Sequence, residues 1–239
     1  MSIRIFLDIE TIPPDEKEKS ILSSNVLRYV SNCNNSYRQS PDFNQKKTSE
    51  VCSEELFRKL SLHAELGRIL CIGVLLEKNG KEWRKGVFGY DTDSQTFHLN
   101  EEKTLRGFWR LMEEEFNPYR DLIVGHNVMD FDLPFIYKRS RILKLKPTVQ
   151  LSFIRYRSRP IYDTMREWAL WNMRERFISL SVLAELLGIE LEKLDGIDGS
   201  RVYDEFMKGN HALIADYCLR DVELSREIYH RMNVSDGMV

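Results

Sequence analysis

The sequence predicts an α/β protein built on a mixed five-stranded sheet, three antiparallel strands plus two parallel ones, with helices on both faces. Three observations predict it. The stretch Ser2 to Ile9 is apolar and β-branched, as a strand is. Asn79-Gly80, the dipeptide of a tight hairpin, separates an apolar run at Gly67 to Leu76 from a second arm at Trp83 to Tyr90. Past residue 100 the apolar positions recur at helical spacing, interrupted by short apolar strands.

The first strand ends at Ile12-Pro13-Pro14, because proline has no N–H to give a ladder. From about 13 to 66 the chain is polar and mixed in charge, with Asn32, Asn34 and Asn35 close together and Pro41 after Ser40. It reads as an insertion with short helices, one at Ser53 to Leu62, and is either a plain surface excursion or a substrate-facing lid. Gly67 to Leu76 is nearly all apolar, so it is expected to be covered on both faces. Thr104, Leu105, Phe108, Leu111, Met112 and Phe116 make a helical stripe, with Glu101 and Glu102 in the first turn and Asn117-Pro118 as the stop. Leu122 to Gly125 is a short buried strand, after which Asp132 fits a helix N-cap with Pro134 in the first turn. Ile161 to Asp163 reads as another strand end, with Asp163 as a cap. Helices are expected near Thr164 to Trp171, Ser179 to Leu187, Arg201 to Met207 and Ala212 to Met232, with Trp168 and Trp171 in the core.

With 239 residues, 42% hydrophobic and 30% charged, the chain can bury one substantial core, and one domain over 1–239 is expected. No apolar run approaches the ~20 residues of a membrane span, and the amino terminus lacks the basic-then-apolar order of a signal peptide. A cytoplasmic protein with no membrane partner is expected. Cys33, Cys52, Cys71 and Cys218 are scattered without a Cys-x-x-Cys, which reads as reduced thiols and excludes a zinc ribbon or a disulfide framework. A net charge of −2 excludes a generally basic nucleic-acid binder but not a local basic stripe.

Residues two apart on a strand share a face, so Asp8 and Glu10 project together. Two such carboxylates repel and desolvate each other unless a divalent cation or a shared proton lies between them. Asp132 is either a helix cap or a further site carboxylate. Tyr217 and Asp221, four apart, share one face of the last helix, as a surface pair or as part of a site, while Asp216 and Cys218 are expected to point elsewhere. Between Leu133 and Tyr162 there is no acid, yet Lys138, Arg139, Arg141, Lys144, Lys146, Arg155, Arg157 and Arg159 occur with Phe135, Tyr137, Phe153 and Tyr156 among them. Such a band suits backbone tracking and base stacking on a single strand, or is a solvated surface.

Taken in order, Asp8-Ile9-Glu10, Phe131-Asp132-Leu133-Pro134-Phe135 and Tyr217-x-x-x-Asp221 resemble the three exonuclease motifs of the DEDD superfamily. Asp216 stands where the histidine branch would carry its histidine, so the chain is similar to the tyrosine branch, DEDDy. Gly125-His126-Asn127 through Phe135 is similar to the exonuclease domains of family-B DNA polymerases. The resemblance runs from Ile3 to about Met232, and no polymerase follows. It implies the ribonuclease H-like fold and a free-standing 3′-5′ exonuclease releasing nucleoside 5′-monophosphates.

By the same resemblance, two divalent cations, Mg²⁺ or Mn²⁺, would be held by Asp8, Glu10, Asp132 and Asp221. Asp8 would bridge them, Glu10 and Asp221 would complete the site of the nucleophile-activating ion, Asp132 would hold the second, and Tyr217 would orient the attacking water. Asp130 competes for the ligand role of Asp132, and the Phe-Asp-x-Pro-Phe register favours Asp132. The implied partner is the 3′ end of single-stranded or frayed DNA, with contacts expected from Thr11, Asn127, Phe131, Arg139, Arg155 and Arg157. Ribonuclease D-like enzymes of the same branch share these ligands, so an exoribonuclease acting on RNA is the alternative. A catalytically inactive binding module is a second, disfavoured because all five positions are filled. No protein partner can be read from the sequence.

Overall fold

A computed structural model describes residues 2–15, 57–172, 177–190 and 197–233. In chain order the elements are β1 (Ile3–Ile12), β2 (Arg68–Lys78), β3 (Lys81–Phe88), β4 (Tyr90–Asp91), β5 (Thr96–Phe97), α1 (Glu101–Glu115) and β6 (Leu122–Gly125). They continue as α2 (Asp132–Ile142), β7 (Ile161–Asp163), α3 (Thr164–Trp168), α4 (Leu180–Leu186), α5 (Val202–Met207) and α6 (His211–Met232). The main sheet has the order β3-β2-β1-β6-β7. β1, β2 and β3 pair antiparallel, whereas β6 runs parallel to β1 and β7 parallel to β6. The predicted mixed sheet is therefore the observed one. Asn79 (φ 54°) and Gly80 (φ 74°) both take the left-handed backbone that a two-residue hairpin needs. The small β4–β5 hairpin is an addition that the sequence reading lacks.

Alternation along β1 sorts the two halves of the core. Ile5, Leu7 and Ile9 face the layer of Leu105, Phe108, Met112, Leu133 and Ile136 from α1 and α2. Phe6 faces the other way, against Leu75, Val124, Tyr162, Val222 and Tyr229. Asp8 and Glu10 share the parity of Phe6, so the strand aims both carboxylates at the layer that contains α6. Because helices cover both faces, β2 is buried from Ile69 to Glu77, as its unbroken apolar run predicts.

Most of the insertion expected at 13–66, including Cys33, Cys52 and the start of the helix expected at Ser53, lies outside the described residues. From Phe57 that helix is present, tightening to a 3-10 turn at Leu60–Leu62. Cys71 and Cys218 are buried free thiols, as expected. Trp171 packs against the core, but Trp168 is 38% exposed, because the short α3 ends there and turns it outward. Among the described residues no helix is long and apolar enough to cross a membrane.

One buried carboxylate ties the layers together. Glu77 on β2, with no exposed surface, accepts from Arg4 Nη1 on β1 at 2.7 Å and from Arg226 Nε on α6 at 3.0 Å, with His230 Nε2 at 2.7 Å. Burial pushes its pKa up, but these three partners together hold it below the usual carboxylate value. Glu77→Gln keeps the shape, removes the charge and leaves the guanidinium groups of Arg4 and Arg226 without their shared counter-charge. Thermal unfolding is expected to show a loss of about 2 kcal/mol, which is roughly 4–8 °C in Tm for a chain of this size.

Candidate active site

The site forms where β6 leaves β1. Their parallel pairing spans only Arg4–Phe6 against Leu122–Val124. At the next position Gly125 presses so close to β1 that an added Cβ would lie 2.8 Å from the Leu7 carbonyl oxygen. The chain then turns away, and the N–H groups of β1 on that side lose their strand partner. Asp132 Oδ1 accepts the one at Ile9, at 3.0 Å. Asp132 is buried at 3% exposure. It is therefore not the helix cap that the sequence allowed: Phe131 holds the N-cap position, and Asp132 is the first helical residue with its side chain bonded across to β1. Asp130, its competitor by spacing, is exposed and accepts from Arg166 Nε at 2.7 Å.

From the other side α6 crosses β1 and β2. Gly73, paired with Asp8 across the ladder, makes this approach possible: an added Cβ would lie 2.7 Å from Cys218 Sγ and 3.1 Å from Val222 Cγ2. The crossing brings Tyr217 and Asp221 onto the carboxylates, and the Tyr217 hydroxyl donates to Asp221. It also brings in Cys218, which was expected to point elsewhere. Cys218 Sγ lies 3.8 Å from the Asp8 carbonyl oxygen and 3.9 Å from Asp8 Oδ2, because residues three apart on a helix share a side and Cys218 stands three before Asp221.

Asp8 is half-buried, Glu10 buried at 7% exposure, Tyr217 at 9%, and the Asp221 side chain is 15% exposed. Burial, then the charges of Asp132, Glu10 and Asp221, hold Asp8 well above the usual carboxylate range. Burial likewise raises Glu10, which also senses Asp221 and Asp132. It lifts Asp132 to about 7 and Asp221 to about 6, the latter in spite of the Tyr217 hydrogen bond. The phenol of Tyr217 is raised by burial and by Asp221, so it stays protonated.

Such a set fits hard divalent cations, whose charge would replace repulsion with attraction. Ligand-capable atoms of Asp8, Glu10 and Cys218 all lie within 4.8 Å of one another. The thiol, however, is raised by its hydrogen bond with Cys71 and by burial, so it acts as a donor to Asp8, and the carboxylate oxygens are the atoms that suit a hard cation.

Asp163 has a role beyond the cap read from sequence. Completely buried, it does cap α3 by accepting from Met165 and Arg166 N–H at 3.1 and 3.2 Å. It also accepts from Asn127 and Met129 N–H at 3.0 and 2.9 Å, pinning the loop that leads into Asp132. The partner spacing of 34 and 36 residues leaves no local signal for this. Asn127 sits at φ 62°, and its buried Oδ1 has no hydrogen-bond partner among the described residues. Phe131 is half-buried against Phe135, with ring centroids 5.6 Å apart, and Thr11 is half-buried just after the bulge that follows Glu10. Arg155 and Arg157 are exposed. Arg139 is not on that surface: it is 4% exposed and clasps Glu101 through Nε and Nη2 at 2.9 and 2.7 Å. Phe135 is buried as well.

A family described as a predicted 3′-5′ exonuclease related to the exonuclease domain of PolB matches residues 61–239. Among solved structures, the chain is similar to the family B DNA polymerase of the hyperthermophilic archaeon Pyrobaculum calidifontis. That match has a TM-score of 0.56 and 19% identity, and it covers 97% of this chain but only 24% of the polymerase. It bears out the ribonuclease H-like fold. No curated protein matches the chain.

The raised carboxylates set the sign of a pH dependence. Asp132 ionises near 3.8 when unfolded and near 7 when folded, so the folded state keeps its proton longer. Without metal, stability is therefore greatest below about pH 4 for this group and falls as pH rises towards 7. In EDTA at neutral pH, Asp8→Asn removes a carboxyl that the folded chain must otherwise bear as a repelled charge or protonate, and about 1–2 kcal/mol of relief raises Tm by roughly 4 °C. The same substitution should remove the rise in Tm that Mn²⁺ gives the unsubstituted protein, as read by thermal denaturation.

Proposed function

The chain belongs to this family of predicted 3′-5′ exonucleases related to the exonuclease domain of PolB, and from that premise we propose that it is a metal-dependent 3′-5′ exonuclease acting on single-stranded or frayed DNA ends. The observation that carries the reading is the convergence of Asp8, Glu10, Asp132 and Asp221, from three separate parts of the chain, beside the neutral hydroxyl of Tyr217. Asp8, Glu10 and Asp221 would hold one divalent cation and Asp8 and Asp132 a second. Mg²⁺ or Mn²⁺ bound there supplies a water of lowered pKa and stabilises charge on the leaving 3′ oxygen.

The remaining work falls to this chain's own groups. Tyr217, kept protonated with its proton donated to Asp221, can accept a hydrogen bond from the attacking water through its hydroxyl oxygen, a positioning role that adds no further negative charge to the cluster. Asn127 stands in the loop pinned by Asp163, and its Oδ1 has no hydrogen-bond partner among the described residues, which supports a contact with the terminal nucleotide once the loop opens to admit it. Thr11 and Phe131, both half-buried and next in sequence to Glu10 and Asp132, would contact the same nucleotide, and the exposed Arg155 and Arg157 offer charge to the phosphate backbone. Residues 1–239 are taken as one exonuclease domain with an insertion at about 13–66.

The test is a time course on a 5′-labelled single-stranded DNA oligonucleotide with Mg²⁺, Mn²⁺ or EDTA. A ladder shortening from the 3′ end is expected, abolished by EDTA and by Asp8→Ala. Tyr217→Phe is expected to slow it by about tenfold or more, mainly in kcat. Intact DNA under every metal, with RNA degraded in its place, would move the assignment to an exoribonuclease. If both remain intact, the catalytic reading fails.

A further inference from the structure

The sheet face beneath α6 carries sulfur as well as carboxylates. Cys71 pairs with Glu10 across the β1–β2 ladder, two residues along from the pairing of Gly73 with Asp8. Residues paired across a ladder project to the same face, so Cys71 stands beside Glu10 on the side that α6 covers. Cys218 descends onto this face from α6 and fills the space that Gly73 leaves, where an added Cβ would lie 2.7 Å from its sulfur. Both cysteines are completely buried, and their thiols are hydrogen-bonded to each other. The reaction proposed above uses neither sulfur.

The spacing of the donors suits a different class of cation from Mg²⁺ or Mn²⁺. Cys218 Sγ is 3.9 Å from Asp8 Oδ2, and with Glu10 the three ligand-capable atoms lie within 4.8 Å of one another. In a tetrahedral zinc site, with bonds of about 2.0 Å to oxygen and 2.3 Å to sulfur, the ligand atoms stand roughly 3.5 Å apart. Asp8 and Cys218 are therefore already close to that separation. A hard cation takes oxygen and leaves the sulfur protonated, whereas a thiophilic one recruits it. Two carboxylates and one thiolate make three protein ligands with a fourth position open, a set that suits Zn²⁺, Cd²⁺ or Co²⁺. The thiol of Cys71, already bonded to that of Cys218, would then hydrogen-bond the ligating sulfur and steady its charge.

We propose that Asp8, Glu10 and Cys218 form an alternative cation site, selective for a thiophilic divalent ion such as Zn²⁺, and that this ion holds the enzyme inactive. On binding, the sulfur–metal bond forms as the thiol proton leaves to solvent, with no change of oxidation state. Because Asp8 and Glu10 are shared, the thiophilic ion competes with the catalytic ones for the same oxygens. Held tetrahedrally with Cys218 as a ligand, it keeps one open position, where the activating ion of the reaction must hold both a water and a phosphate oxygen. The inhibition rests on the exonuclease reading above and deepens it by naming a regulator of that site. The binding stands without it.

Co²⁺ serves as the probe, because a cobalt–thiolate bond gives an intense charge-transfer band in the near ultraviolet and a cobalt–carboxylate bond does not. It is added to the reduced, metal-free protein and to Cys218→Ser, and the affinities of both for Zn²⁺ and Mn²⁺ are measured by competition with a chelating dye. Comparing the ratio of the two affinities sets aside any fault of folding, which would lower both. The band is expected in the unsubstituted protein and not in Cys218→Ser, and the preference for Zn²⁺ over Mn²⁺ is expected to fall at least about tenfold in the variant. No band with stoichiometric Co²⁺, a band that survives Cys218→Ser, or an unchanged preference overturns the site. In the oligonucleotide assay with Mn²⁺, stoichiometric Zn²⁺ is expected to suppress cleavage at least about tenfold, and a zinc chelator to restore it. Undiminished cleavage by the zinc-loaded protein overturns the inhibition. No cleavage with Mn²⁺ alone overturns the exonuclease reading, and the cobalt band still decides the site.

Discussion

Packing Asp8, Glu10, Asp132 and Asp221 against one another raises the free energy of the folded chain wherever no cation lies among them. Each ionised carboxylate is both desolvated and repelled by its neighbours, and all four are displaced upward in pKa. A flexible segment would relax by letting the charges separate. Here they are fixed to a central strand and to two helices that the core holds in place. The opposed design appears at Glu77, where one buried carboxylate is surrounded by Arg4, Arg226 and His230 and is held low. That cluster joins β1, β2 and α6, the same three elements that carry or support the site.

The topology creates the opening that the carboxylates occupy. β1 is ten residues long, and only three of them pair with β6. Beyond that pairing β6 no longer reaches β1, and Asp132 takes the N–H of Ile9 in its place. Gly125 and Gly73 permit the two close approaches, of β6 to β1 and of α6 to β2. Asp163 then pins the loop between β6 and α2. The site depends on the absence of side chains at two positions as much as on the acids themselves.

Much of this was legible in the sequence because it follows from local periodicity. A period of two placed Asp8 with Glu10, and a spacing of four placed Tyr217 with Asp221. The hairpin at Asn79-Gly80 and the mixed sheet followed from turn chemistry and alternation. Features set by tertiary approach were not legible. Cys218 meets Asp8 only because Gly73 lets α6 sink onto the sheet. Asp132 could pass for a cap, since nothing local shows that the N–H of Ile9 lacks a strand partner. Arg139 counted as surface charge in a basic stretch, but on α2 it falls with Ile136 and Ser140 on the buried side, facing Glu101 from α1. The period that placed Arg141 outside would have placed Arg139 inside, so that distinction was available to a stricter use of helical spacing.

The central claim is that these four carboxylates are a divalent-metal centre. Anomalous diffraction from crystals soaked in Mn²⁺ tests it most directly, because it locates the ion without depending on substrate or turnover. The account predicts anomalous density among Asp8, Glu10, Asp132 and Asp221, with any second peak about 4 Å from the first and in contact with Asp8. Strong density elsewhere on the protein with none among these oxygens would contradict it.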